Sequence, residues 1–177
     1  MAAFPPPALQ EAALAVANLL HERGETLSVA ETAAGGLISA ALLTTPGASK
    51  IYRGGATMYT LESRLAFAGW TAADIRAYDG PNPELVAKLA RNVRDTLGST
   101  YTVGESGTAG PTASRQSANG QPGYVALAVV SERDVLSRDL NTGLGSDRAG
   151  NMVAFATEAL KLVAEFLKER SGQGEKI

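Results

Sequence analysis

The 177-residue chain is of single-domain size, and 45% hydrophobic with 19% charged residues is the balance of a packed core rather than of a disordered segment. The 16 basic and 18 acidic residues leave a formal charge of -2 with no Lys/Arg run, which excludes the electrostatic footprint of a nucleic-acid binder. Zero cysteines remove disulfides, thiolate zinc sites and a thiol nucleophile, and a lone histidine, His21, removes multi-histidine metal motifs and the commonest general base.

After Pro5-Pro6-Pro7, the spacing of Leu9, Ala12, Ala13, Val16, Leu19 and Leu20 predicts an amphipathic helix over residues 8–23, closed by Gly24. Residues 26–30 read as a strand that feeds a glycine turn and a helix over 35–44, stopped by Pro46-Gly47. Gly54-Gly55 opens a second strand over 56–60, which puts Tyr59 inside a strand, and a helical stretch follows over 62–68. Asn82 and Pro83 start the clearest helix, with Asn as N-cap and Pro at the first position; Leu85, Leu89, Val93 and Leu97 share its face and Gly98 ends it.

Residues 100–103 form a third strand and run into the turn at 104–111, and the polar stretch 112–121 reads as a mobile loop. Residues 123–131 and 134–140 pair as a hairpin through Ser131-Glu132-Arg133. Ser146 then caps a final helix over 147–170, with Met152, Ala156, Ala159, Leu160, Val163 and Leu167 inward. The order implies a single α/β domain over residues 8–170, a mixed sheet covered by helices on both faces, with flexible termini at 1–7 and 171–177. No leader and no apolar stretch near the ~20 residues of a membrane span are visible, so a soluble cytoplasmic protein without membrane contact is expected.

In open α/β sheets, ligands collect beyond the carboxyl ends of strands, where glycine turns and helix N-termini present free amides. Residues 31–36 and 105–111 both place a hydroxyl and glycines directly after a strand, the composition of a phosphate or oxyanion site. Neither has a Gly-x-Gly-x-x-Gly or P-loop signature, so each also reads as an ordinary turn. Thr32 reads equally as a nucleophile and as a helix N-cap. Glu31 supports the loop by accepting backbone N–H bonds, Arg64 is a solvated helix charge, His21 is a partly exposed helix residue, and Trp70 is packing. Arg148 sits where the positive helix end disfavours a cation unless an anion is near, which makes it a phosphate ligand.

Six segments in order extend the reading: residues 30–36 (Ala-Glu-Thr-Ala-Ala-Gly-Gly), Pro46-Gly47-Ala48-Ser49, Gly54-Gly55 with Tyr59, Gly107-Thr108-Ala109-Gly110-Pro111, Pro122-Gly123-Tyr124-Val125, and Asp147-Arg148. In order and spacing they resemble the CinA carboxy-terminal domain family over almost the whole chain, in its stand-alone form. The resemblance implies a three-layer α/β/α sandwich, commonly a homo-oligomer. It also implies an amidohydrolase that converts nicotinamide mononucleotide to the acid and ammonia, acting on a small-molecule nucleotide with no cofactor and no metal.

Three departures bear on that activity. The family's Ala-Glu-Ser-Cys-Thr-Gly-Gly becomes a loop with Thr32 in place of the proposed serine nucleophile. The lysine after the family tyrosine becomes Arg64, which stays protonated and cannot act as base. The first position of Thr-Gly-Ile-Ala-Gly-Pro becomes Ser106, which keeps a hydroxyl. On this resemblance Thr32 attacks the carboxamide, amides of the turn at Gly35 and Gly36 hold the oxyanion, and Tyr59 or Glu62 activates Thr32. Glu31 supports the loop, while Arg64, Ser106, Gly107, Thr108, Gly110 and Arg148 bind substrate, chiefly its phosphate. The alternative is a non-catalytic nucleotide-binding or regulatory relative that has lost the serine and lysine.

Overall fold

The computed structural model describes residues 4–174. In chain order the elements are α1 (Pro7–Arg23), β1 (Leu27–Glu31), α2 (Leu37–Leu43), α3 (Ala48–Ile51), β2 (Tyr52–Thr57), α4 (Leu61–Phe67), α5 (Ala72–Ala77) and α6 (Pro83–Leu97). They continue with β3 (Tyr101–Gly107), a 3-10 turn (Ala118–Gly120), β4 (Tyr124–Val130), β5 (Val135–Asn141) and α7 (Arg148–Gly174). The strands form one sheet in the order β2-β1-β3-β4-β5. β1 runs parallel to both β2 and β3, whereas β4 and β5 are antiparallel additions.

The period-2 alternation of strands sorts side chains into two cores. Leu27 and Val29 of β1, Tyr101 and Val103 of β3, and Val125, Leu127 and Val129 of β4 meet α1, α2 and α7 on one face. Ala30, Ala126 and Ala128 face the opposite way, toward Val86, Leu89 and Val93 of α6. The result is the expected three-layer α/β/α sandwich on a mixed sheet. β4 is buried along its whole length, as an unbroken apolar strand covered on both faces should be, and the polar edge is left to β5. No helix among the described residues is long and apolar enough to cross a membrane.

α6 starts and stops where expected: Asn82 Oδ1 accepts the Leu85 N–H at 2.9 Å, and Gly98 takes the left-handed φ of 61°. Five expectations are corrected. The second strand is β2 at Tyr52–Thr57, with the glycines inside it rather than before it: Gly54 takes the positive φ of 129°, and a Cβ on Gly55 would lie 2.9 Å from the Val29 carbonyl oxygen of β1. Tyr59 therefore lies beyond the strand, 60% exposed. β3 runs to Gly107, since β4 continues to pair with it past the end of β1, so Glu105 and Ser106 are sheet residues. The cap of α7 is Asp147, whose Oδ1 accepts the Gly150 N–H at 3.0 Å, and not Ser146.

The fifth concerns residues 112–121, which are tied down rather than loose. Arg115 donates to the Tyr78 carbonyl at 2.9 Å, and Asn119 Nδ2 donates to the carbonyls of Asp79 and Pro81 at 3.3 and 3.2 Å. Helices α3 and α5 had no expected counterpart, being too short to show a period. α1 begins one residue before its expected start and α7 continues to Gly174; residues 1–3 and 175–177 lie outside the described residues.

α6 approaches β3 at Gly104, where a Cβ would sit 2.7 Å from Val86 Cγ1 and 2.8 Å from the Val86 carbonyl oxygen. Backbone cannot yield as a flexible side chain does, so Gly104→Ala is expected to cost ~1–3 kcal/mol of stability by overpacking. Urea unfolding of the two proteins checks this; an unchanged midpoint would show that α6 sits farther from the sheet.

Candidate active site

The site follows from strand register. β1 and β3 are parallel neighbours with Ala30 opposite Gly104, so the next two residues of each strand, Glu31-Thr32 and Glu105-Ser106, emerge side by side. The consequence is a contact between two buried hydroxyls: Thr32 Oγ1 donates to Ser106 Oγ at 3.1 Å, with Thr32 2% and Ser106 1% exposed.

The paired carboxylates hold the loop beneath these hydroxyls. Glu31, fully buried, accepts the Ile38 and Ser39 N–H groups at 3.2 Å and the Ser39 hydroxyl at 2.7 Å. It supplies α2 with the N-terminal acceptor that Gly36, the N-cap residue, lacks. The expectation that Glu31 accepts backbone N–H bonds holds, and it explains why Thr32 is not the cap. Glu105 is the counterpart: its Oε2 accepts the Thr32 and Ala34 N–H groups at 2.9 and 3.0 Å, while Oε1 has no partner. Burial pushes its carboxyl up to about 7, against the lowering effect of those two N–H bonds and of the Arg64 charge.

With Thr32 N and Ala34 N on Glu105, and Gly35 N on the Thr32 carbonyl at 3.3 Å, the expected glycine-turn oxyanion hole loses its Gly35 amide. Those glycines shape the turn, at φ 70° and 98°, and do not line the cleft. Ala33 does line it, and among the described residues its amide, unlike those of Thr32, Ala34 and Gly35, is not committed to an acceptor.

The cleft above has a volume of about 340 Å³, within the range of small-molecule sites. Thr32, Ala33, Arg64, Tyr59, Tyr78 and the turn Gly107–Gly110 line it, with Arg148 on its wall. Arg64 departs most from expectation: rather than a solvated charge it is 4% exposed, with its guanidinium carbon 5.3 Å from the Trp70 ring centre and 5.2 Å from that of Tyr78. Its Nε donates to the Met58 carbonyl and its Nη2 to Ser106 Oγ, both at 3.4 Å, while Nη1 has no partner. Trp70 packs as expected, 4% exposed, and His21 is an exposed residue of α1.

Arg148 stands at the start of α7 with an exposed side chain, donating to the Gly110 carbonyl at 2.5 Å and to the Tyr59 hydroxyl at 3.2 Å. Tyr59 is thus a rim residue held by Arg148. Glu62 is exposed on α4 and does not line the cleft, so neither expected activator hydrogen-bonds to Thr32. Thr108 contributes wall, but its hydroxyl is engaged with Ser114 Oγ at 3.1 Å and the Asn119 carbonyl at 3.3 Å. Ser106 sits behind Thr32 instead of at a phosphate. Gly107 is obligatory for space: a Cβ there would lie 2.6 Å from the Tyr124 carbonyl oxygen. Among the described residues no three His, Asp or Glu side chains assemble into a metal-sized group.

Sequence reasoning missed Glu105, Tyr78 and the role of Trp70. The first had a signal, since Glu followed by a hydroxyl ends both β1 and β3; the aromatic clamp on Arg64 comes from separate elements and had none.

Residues 9–167 match the CinA C-terminal domain family. The chain belongs to that family. A putative competence-damage inducible protein of Desulforamulus reducens is 32% identical over 154 residues, covering 86% of this chain and 36% of that protein. A CinA-like protein of Myxococcus xanthus is 35% identical over 99 residues, covering 56% of this chain and 24% of that protein. The chain therefore spans only about a quarter to a third of these relatives. The crystal structure of competence/damage inducible protein CihA from Agrobacterium tumefaciens superposes with a TM-score of 0.83 at 25% identity, covering 95% of this chain and 99% of that one. A CinA superfamily protein from Klebsiella pneumoniae gives a TM-score of 0.81 at 21% identity over 91% of this chain and 98% of that one, which shows the shared fold.

Within this CinA domain, Glu105 couples the loop to pH. Its folded carboxyl titrates near 7 against 4.5 in the unfolded chain, so the native state keeps a proton that the unfolded state releases. The stability from that proton is complete below pH 4.5 and is lost as pH rises toward 7, an effect of up to ~3 kcal/mol. Glu105→Gln, which cannot ionise, should remove this slope. Urea unfolding at pH 5 and pH 7.5 is expected to show wild type losing stability relative to the variant; parallel behaviour would place the Glu105 carboxyl at an ordinary value.

Proposed function

We propose that this chain hydrolyses the carboxamide of nicotinamide mononucleotide, releasing ammonia and leaving the carboxylate. The observation that carries the reading is the Thr32 hydroxyl, which lines the cleft and donates its hydrogen bond to Ser106 Oγ at 3.1 Å. A nucleophilic oxygen needs somewhere to send its proton, and here that place is a second hydroxyl beside a guanidinium.

In this scheme Thr32 Oγ1 attacks the carboxamide carbon as its proton passes to Ser106 Oγ. The Ser106 proton passes to the amide nitrogen, the C–N bond breaks and ammonia departs. Water then attacks the Thr32 ester, giving the carboxylic acid and restoring Thr32. Arg64, donating to Ser106 Oγ, favours negative charge on that oxygen, and the Ala33 N–H supports the tetrahedral oxyanion. Arg148, exposed on the cleft wall beside Tyr59, takes the substrate phosphate.

One observation favours a second reading, in which the cleft holds the nucleotide without turning it over. Among the described residues no lysine and no carboxylate hydrogen-bonds to the Thr32 hydroxyl, so the relay through Ser106 ends on the substrate itself.

Ammonia release from nicotinamide mononucleotide separates the two. The hydrolytic reading expects turnover by wild type, loss of at least ~1000-fold in Thr32→Ala and ~100-fold in Ser106→Ala, and little change in Glu62→Gln. Nucleotide binding without turnover by wild type establishes the second reading, and equal turnover by wild type and Thr32→Ala removes Thr32 from the chemistry.

A further inference from the structure

We propose that the deep end of the cleft is a carboxylate site built on Arg64, so that the protein binds the acid mononucleotide more tightly than the amide. This rests on the mononucleotide reading of the cleft and adds to it a preference between the two forms.

The argument starts from an unmet demand. Arg64 is 4% exposed, yet Nη1 has no hydrogen-bond partner and the guanidinium makes no ion pair within 4.0 Å among the described residues. A buried cation with an idle donor is costly unless something else satisfies it. Glu105 acts on Arg64 through charge, but its Oε2 is committed to the Thr32 and Ala34 N–H groups, and its free Oε1 makes no hydrogen bond or ion pair with the guanidinium among the described residues. Because Arg64 lines the cleft, an occupant of the cleft is placed to supply the missing acceptor.

The clamp fixes which acceptor suits it. Trp70 and Tyr78 hold the guanidinium by their rings at 5.3 and 5.2 Å, and Nε and Nη2 are tied to Met58 and Ser106. A fixed, permanently charged fork matches a planar carboxylate better than a neutral carboxamide, whose nitrogen is itself a donor. Charge acts in the same direction. A pyridinium amide would bring its ring cation toward Arg64 with no anion between them, whereas the acid places a carboxylate between the two. With Arg148 on the wall for the phosphate, the cleft has a cation for each anionic group of the acid form.

Trp70 is the only tryptophan in the chain and stacks on Arg64, so its fluorescence reports the site in the unmodified protein. Titrating wild type with nicotinate mononucleotide and with nicotinamide mononucleotide is expected to give at least tenfold tighter binding of the acid. Arg64→Met should remove that preference and Arg64→Lys should keep part of it; if Arg64→Met fails to fold, the Lys variant and the wild-type pair decide. Equal or tighter binding of the amide by wild type, a preference that survives Arg64→Met, or no binding of either nucleotide overturns the proposal. Tight binding of the acid with no ammonia release from the amide sinks the hydrolytic reading and leaves this one standing.

Discussion

The pairing of β1 with β3 is the constraint on which the site depends. Parallel neighbours carry equivalent residues to the same level, so Ala30 opposite Gly104 delivers Glu31 and Glu105, then Thr32 and Ser106, as matched pairs at one end of the sheet. A slip of one residue in either strand would turn each side chain to the other face and separate the hydroxyls. That register is held from both sides, by β2 along β1 and by β4 along β3, and by the close approach of α6 at Gly104.

Around that pair the chain uses its charges in unlike ways. Glu31 satisfies the N-terminus of α2, and Glu105 secures the turn carrying Thr32, at the expense of holding a proton near neutrality. Arg64 is enclosed by two aromatic rings with one donor idle, while Arg148 stays exposed at the rim and is shared with Tyr59. On the proposed reading, buried acids that organise backbone and a buried base-incompetent cation lining the cleft set the site electrostatically for an anionic ligand before one arrives.

Much of the scaffold was legible in the sequence because local chemistry decided it. Asn82-Pro83 and Gly98 bound α6, the apolar run through residues 123–131 reads as a strand, and the turn at 131–133 makes the hairpin. The family resemblance pointed to the Thr32 loop and the Gly107–Gly110 turn, which the fold brings to one cleft. What failed depended on tertiary contact. The glycines of β2 looked like a strand boundary because nothing local reveals the positive φ of Gly54 or the neighbouring carbonyl that excludes a side chain at Gly55. Arg64 read as a surface charge because a helix of seven residues does not announce which side is enclosed. Thr32 resembled a cap until Glu31 was seen to fill that role, and Glu105 was passed over because ending the third strand at Val103 put it in a turn rather than in the buried sheet.

The central claim, that the Thr32 hydroxyl at the junction of β1 and β3 is the reacting group, has a direct test. Wild type mixed with nicotinamide mononucleotide and quenched in acid during turnover should carry an acyl adduct, which peptide mass spectrometry should place on Thr32 and which hydroxylamine should release. Turnover with no adduct on Thr32, or with the adduct on Ser106 or elsewhere, would contradict the account.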